Sequence, residues 1–251
     1  MCETCGCGDP SKVSVEVHDR ILSVNDRTAA HNREHFVEGG VFAVNLMGSP
    51  GAGKTAVLEA TARSMAGRSR LGAIAGDLET ERDADRLRAA GVPAAAITTG
   101  SACHLDAEMV HGSLHDFPWR GLDYLFVENV GNLVCPALYD LGQERNVVMV
   151  SVTEGEDKPL KYPVMFRTAD LVIVAKVDLL PALPEFRIDL LCENLARVMP
   201  EPRSIALSAR SGEGMQAWLA WLGAQRSALR AAQSAAGERR EDRHGIADAE
   251  A

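Results

Sequence analysis

Residues 41–56 read Val41-Phe-Ala-Val-Asn-Leu-Met-Gly48-Ser-Pro-Gly-Ala-Gly53-Lys54-Thr55-Ala56. An apolar run of strand length ends at Gly48, and the segment from Gly48 to Thr55 fits the pattern G-x-x-x-x-G-K-[ST]. Glycines allow a tight turn whose N–H groups converge on a phosphate. Lys54 adds a point charge within reach of the β and γ phosphates, and the Thr55 hydroxyl is a ligand for Mg²⁺. Residues 54–66 carry a helical pattern, so the positive end of a helix faces the same anion. Strand, loop and helix in this order predict a nucleotide site formed by Gly48, Ser49, Gly51, Ala52, Gly53, Lys54, Thr55 and Ala56.

Outward from this segment, apolar strands alternate with helical stretches. Strands are expected near 41–47, 71–76, 94–99, 123–129, 146–152, 171–176 and 203–208. Helices are expected near 54–66, 80–90, 105–115, 161–168, 184–198 and 214–229. The alternation predicts an α/β P-loop NTPase fold, a mostly parallel sheet of about seven strands flanked by helices. Residues 41–229 form the nucleotide-hydrolysing domain, residues 11–40 a linker and lead-in helix, and residues 230–251 a disordered tail of mixed charge. In the lead-in, His18, His31 and His35 read as solvent-facing helix residues.

The net charge of −9 over 251 residues disfavours non-specific nucleic-acid binding. No apolar run approaches the roughly 20 residues that span a bilayer. The start of the chain has neither a basic nor an apolar leader segment, so a cytoplasmic protein is expected.

Two acids stand at strand ends. Ile74-Ala-Gly-Asp77 places Asp77 where a carboxylate can hold a magnesium-bound water or orient the attacking one, or cap the next helix. Tyr124-Leu-Phe-Val-Glu128-Asn-Val-Gly131 ends on Glu128, a second carboxylate for Mg²⁺, with Gly131 permitting close backbone approach. Lys54, Asp77 and Glu128 are therefore the expected catalytic residues, and Thr55, Asp77 and Glu128 the expected Mg²⁺ set.

The six cysteines divide unevenly. Cys2, Cys5 and Cys7 make a C-x-x-C-x-C cluster at the chain start. Three thiolates, with the α-amino group as a fourth donor, suit square-planar Ni(II) or tetrahedral Zn(II). Cys103, His104 and Cys135 lie in two loops expected on the nucleotide side of the sheet. Two thiolates and an imidazole make an incomplete tetrahedral site, completed by water or by a second subunit.

Leu171-Val-Ile-Val-Ala-Lys176-Val-Asp178 ends a strand on Lys-x-Asp, the slot that reads guanine through a carboxylate accepting two N–H groups. Ala175 stands where an asparagine is usual. Ser208-Ala209-Arg-Ser-Gly resembles the loop that lies against the guanine edge, so Lys176, Asp178, Ser208 and Ala209 make GTP the expected nucleotide.

Together these residues resemble the HypB family, hydrogenase nickel-incorporation GTPases of the SIMIBI class. The resemblance spans the terminal cysteine motif and most of residues 20–223. Its specific segments are the P-loop, Gly76-Asp-Leu-Glu-Thr-Glu-Arg-Asp-Ala84, Thr99-Gly-Ser-Ala-Cys-His-Leu-Asp106, Glu128-Asn-Val-Gly-Asn-Leu-Val-Cys-Pro136 and Val152-Thr-Glu-Gly-Glu-Asp-Lys-Pro-Leu-Lys-Tyr-Pro163. It implies a slow GTP hydrolase that dimerises with GTP and delivers nickel to [NiFe]-hydrogenase. Cys2, Cys5 and Cys7 look like the family's terminal nickel site, and Cys103, His104 and Cys135 like its nickel or zinc site at the subunit interface. The implied partners are the metallochaperone HypA and the hydrogenase large subunit. The long histidine run of some members is missing from the linker.

Overall fold

The computed structural model describes residues 10–247, with side chains over 21–235; the terminal Cys2, Cys5 and Cys7 lie outside the described residues. The elements in order are α1 (Pro10–Glu38), β1 (Phe42–Gly48), α2 (Lys54–Met65), β2 (Leu71–Asp77), α3 (Arg82–Ala89), β3 (Ala94–Thr98), α4 (Ala107–Ser113) and β4 (Tyr124–Glu128). They continue as β5 (Arg145–Ser151), α5 (Lys158–Lys161), α6 (Pro163–Arg167), β6 (Leu171–Ala175), α7 (Ile188–Val198), β7 (Ser204–Leu207) and α8 (Met215–Ala247), with 3₁₀ turns at Cys135–Leu138 and Val177–Ala182.

All strands pair in parallel, in the order β3-β2-β4-β1-β5-β6-β7. A parallel sheet is covered on both faces, so its strands are apolar throughout rather than alternating. Neighbours along a strand still point to opposite faces. Val44, Leu46, Ala73, Phe126 and Met149 face α2, α3 and α8, where Val57, Leu87 and Trp218 meet them. Ala43, Ile74, Leu125 and Val127 face Phe36 of α1 and Val110 of α4. Val148, Val150, Val172 and Val174 face Phe166 of α6 and Leu191 of α7. Every strand's carboxyl end lies on one rim, which gathers the loops after β1, β2, β3, β4, β6 and β7.

Three sequence expectations change. The helix expected near 161–168 is two short ones, because Pro163 offers no N–H to continue the first. The lead-in is a single helix beginning at Pro10. The stretch from residue 230, read as a disordered tail, instead continues α8 through Ala247. Ala, Arg, Gln and Glu are strong helix formers, and with no Pro in the stretch nothing stops a helix already begun. Among the described residues no helix is long and apolar enough to cross a membrane.

Trp218 fastens α8 to α2. It is fully buried, and its indole Nε1–H donates to Thr61 Oγ1 at 2.9 Å while that hydroxyl donates to Val57 O at 2.7 Å. Trp218→Ala is expected to lower stability by about 3–5 kcal/mol through the cavity it leaves. Trp218→Phe should cost only about 1–2 kcal/mol, since the aromatic volume largely remains and one hydrogen bond goes. Urea denaturation of the two variants checks the ratio.

Candidate functional site

The P-loop is held where the backbone has no room for a side chain. A Cβ on Gly48 would stand 2.6 Å from Met149 O, and Gly53 takes φ +103° to enter α2. Across the loop, a Cβ on Gly131 would stand 2.8 Å from Pro50 N, so the segment after β4 lies directly against the P-loop. A backbone bridge between Gly48 and Asn132 joins the same two segments.

Lys54, Thr55, Asp77, Asp83, Glu128 and Asn129 line one cavity of about 410 Å³ at this rim, with P-loop residues Pro50, Gly51, Gly53 and Ala56 on its floor. Lys54 is buried, its Nζ 3.4 Å from Ser49 O and 3.5 Å from Gly48 O. Burial lowers the Lys54 pKa, against the pull of Glu128 and Asp83. Glu128 is buried too, and burial pushes its carboxyl up to about 7 despite the Lys54 charge.

Thr55 Oγ1 lies 2.7 Å from Glu128 Oε1 and 2.9 Å from Asp83 Oδ1. One hydroxyl proton can serve only one of two carboxylates. Glu128 Oε2 is buried without a partner. A hydroxyl and two carboxylates converging with an unpaired buried oxygen is a hard-oxygen donor set, and these residues fit Mg²⁺. The acid that joins Glu128 in contact with Thr55 is Asp83, not the Asp77 placed in the Mg²⁺ set from the sequence. Asp77 lines the cavity, but its Oδ1 accepts from Glu79 N at 3.0 Å and Thr80 N at 3.1 Å, which holds its pKa below the usual range. These bonds turn the loop between β2 and α3, while the N-cap of α3 is Glu81 with no side-chain bond, so the helix-capping alternative does not hold. Asp83 sits in the first turn of α3, and the packing of α3 on α2 carries it to Thr55. The sequence shows both acids but not which one turns inward.

The two loops expected to read the base follow adjacent strands, since Ala175 pairs with Leu207. Lys176 takes a left-handed conformation, φ 62°, and its Nζ donates to Gly51 O at 2.6 Å. This lays the lysine along the P-loop. Asp178 follows in the 3₁₀ turn, half-buried. Ser208 is buried, and its Oγ accepts from Arg210 N at 3.2 Å and Ser211 N at 3.0 Å, which curls the loop that presents Ala209.

Cys103 and His104 follow β3, and Cys135 opens the 3₁₀ turn after β4. The two sulfurs are 3.0 Å apart, both thiols are free, and His104 Nδ1 is 4.0 Å from Cys103 Sγ. The three ligand atoms lie within 4.8 Å of one another. Burial lowers the His104 pKa, which favours the neutral, ligating imidazole, and the ring stacks on Tyr139 at 3.9 Å. The neighbouring thiol of Cys103 pushes the Cys135 pKa up. Thiolates this close repel, so a cation between them relieves the pair.

The two sites share one segment. Asn129 lines the phosphate cavity, and its Oδ1 accepts from Leu105 N at 3.1 Å, next to His104. Asn132, bridged to Gly48, donates from Nδ2 to Cys103 O at 3.3 Å. Both asparagines lie in the segment Glu128–Pro136 quoted for the family resemblance, but neither was given a role from the sequence.

Residues 42–202 match the family model described as CobW/HypB/UreG, nucleotide-binding domain. The hydrogenase maturation factor HypB of Rhizobium leguminosarum bv. viciae is 50% identical over 218 residues, covering 86% of this chain and 73% of the relative. The crystal structure of HypB from Helicobacter pylori in complex with nickel superposes with a TM-score of 0.77 at 40% identity, covering 81% of this chain and 95% of that one. HypB from Archaeoglobus fulgidus gives 0.74 at 39% identity, covering 83% and 100%. The match to the nucleotide-binding model and the half-identical relative agree with the P-loop rim, and the chain belongs to the HypB family of hydrogenase maturation factors, P-loop GTPases by fold.

Proposed function

We propose that this chain is a slow GTP hydrolase that carries nickel during [NiFe]-hydrogenase maturation and couples the nucleotide state to metal release. One observation carries the reading: the five residues from Glu128 to Asn132 hold both sites, Glu128 at Thr55 and Asn132 at both Gly48 and Cys103. A change at the γ-phosphate therefore reaches the thiolates through one short piece of backbone.

GTP sits on the P-loop with its base between Asp178 and the Ser208–Ala209 loop. Asp178 offers guanine two acceptors that adenine cannot use, and Ala175 weakens the support of that loop. Mg²⁺, when bound, neutralises charge developing on the β and γ oxygens. Lys54 holds the γ-phosphate, Thr55, Asp83 and Glu128 supply oxygen, and Asp77 orders the loop that closes the cavity. Nickel is cargo, held by Cys103, His104 and Cys135; zinc suits the same donors. A GTP-dependent homodimer would bring a second trio to complete the coordination. Cys2, Cys5 and Cys7 form a further nickel site, with HypA and the hydrogenase large subunit as partners in the cytoplasm.

The expected result is that a non-hydrolysable GTP analogue with Mg²⁺ shifts nickel affinity at the trio by at least about fivefold, the lower range of coupling between sites. Cys103→Ala should abolish both the binding and the shift while nucleotide affinity stays within a few-fold. Equilibrium metal titration with and without the analogue measures this, and equal affinity in both states would remove the coupling.

A further inference from the structure

α1 and α4 face each other with histidines on both. His31 and His35 are one helical turn apart on α1, and His111 lies on α4. The His31 and His35 rings are 4.3 Å apart, His31 and His111 5.2 Å, and His35 and His111 5.8 Å. Their ligand atoms lie within 4.8 Å of one another, the only such group besides the Cys103 trio among the described residues. The sequence reading of His35 as solvent-facing does not hold, since it is half-buried against Trp119.

The tautomer of His111 is set from behind. Asn32 is fully buried, and its Nδ2 donates to Ala107 O at 2.9 Å and Leu141 O at 3.2 Å. Both amide protons are then used, so Asn32 Oδ1, 2.9 Å from His111 Nδ1, must accept from it. Nδ1 carries the proton, and Nε2 of His111 keeps its lone pair. A buried amide that fixes one ring nitrogen and leaves the other bare is the outer-shell arrangement of metal-bound histidines.

We propose that His31, His35 and His111 form a separate, all-imidazole site for a first-row divalent cation of the Zn²⁺ or Ni²⁺ class, which clamps α1 onto α4. Imidazole suits these ions, and three nitrogens leave a position for water. Glu34, 3.8 Å from His31 Nδ1, offsets the cation's charge. Burial, with the other two imidazoles nearby, lowers the His35 pKa and so favours the unprotonated ring. His115 stands 5.2 Å from His111 at the rim, a reserve nitrogen. The site holds no sulfur and shares no ligand with the Cys103 trio, so it stands or falls independently of the nickel-carrier reading.

The test is Co²⁺ and Zn²⁺ titration of the full chain carrying Ser in place of Cys2, Cys5, Cys7, Cys103 and Cys135. One equivalent should remain, with ligand-field bands of Co²⁺ but no thiolate charge transfer, and His35→Gln/His111→Gln should remove it. If the five-serine chain does not fold, the same pair of histidine changes is made in the otherwise unaltered chain. Total stoichiometry should then fall by one equivalent while the thiolate charge-transfer intensity is retained. No residual equivalent in the folded five-serine chain, or a stoichiometry unmoved by the histidine changes in either background, overturns the proposal.

Discussion

Lys54→Ala is expected to lower the rate of GTP hydrolysis by at least about 10²-fold, the usual effect of removing one preorganised charge from a transition state. Lys54 is buried beneath the P-loop, whereas the neighbouring cations Lys158 and Lys176 are placed on Ser49 Oγ and Gly51 O. The same change removes the charge that most opposes the rise of the Glu128 pKa, so Glu128 would hold its proton to still higher pH and donate it to Thr55. Mg²⁺ affinity should fall with nucleotide affinity. Nickel binding by the trio in the absence of nucleotide should be unchanged, because Lys54 makes no contact with Cys103, His104 or Cys135. What disappears is the difference that the GTP analogue makes. Single-turnover hydrolysis and nickel titration together read this out; undiminished GTP-dependent nickel transfer by the variant would sink the coupling.

Glu128→Gln should act in opposite directions on stability and on function. The folded-state pKa of about 7 lies above the ordinary carboxyl value of 4.5. The folded chain therefore binds this proton more tightly than the unfolded chain. The stabilisation that follows is fully present below about pH 4.5 and is lost as pH rises through about 7. Above pH 7 the metal-free fold bears a buried carboxylate at a cost of about 3 kcal/mol, net of the Lys54 charge. Gln removes the charge and keeps the shape. The metal-free variant should be more stable than the parent by on the order of 2 kcal/mol at pH 8 and about equal to it at pH 4.5. Mg²⁺ with GTP should stabilise the parent at pH 8 and the variant far less, and hydrolysis should be lost. Urea denaturation at the two pH values, with and without Mg²⁺ and nucleotide, separates these effects. A variant no more stable than the parent at pH 8 would show that Glu128 is charged and compensated in the metal-free fold.

The parts of the site that were legible in the sequence are those carried by short segments. The P-loop is a single stretch, and Glu128 ends a strand whose register opposite Leu46 puts it beside the P-loop strand. Cys103, His104 and Cys135 were expected on one rim because both loops follow parallel strands, and the structure brings their ligand atoms together there. Asp83 was not legible as the partner of Thr55. Asp77 and Asp83 both stand near the end of β2 in the sequence, and only the docking of α3 separates the acid that turns the loop from the one in contact with Thr55. The histidine cluster was less legible still. Asn32 and His111 meet across 79 residues of sequence, and each looks like an ordinary surface polar residue in its own segment. The α8 extension was misread for a different reason. Alanine-rich, mixed-charge composition lacks the apolar stripe of a packed helix, yet its residues propagate a helix once Trp218 and Leu222 anchor the start.

By itself, the sequence determined the alternation of buried strands and covering helices, the phosphate-binding turn and the shared rim of Cys103, His104 and Cys135. Each follows from the chemistry of a few consecutive residues. Only the tertiary structure decided which carboxylate faces Thr55, that Asn129 and Asn132 tie the phosphate cavity to the thiolates, and that α1 and α4 turn three imidazoles toward one another. Those outcomes depend on how helices settle on the two faces of the sheet, a matter of side-chain packing between segments far apart in the chain.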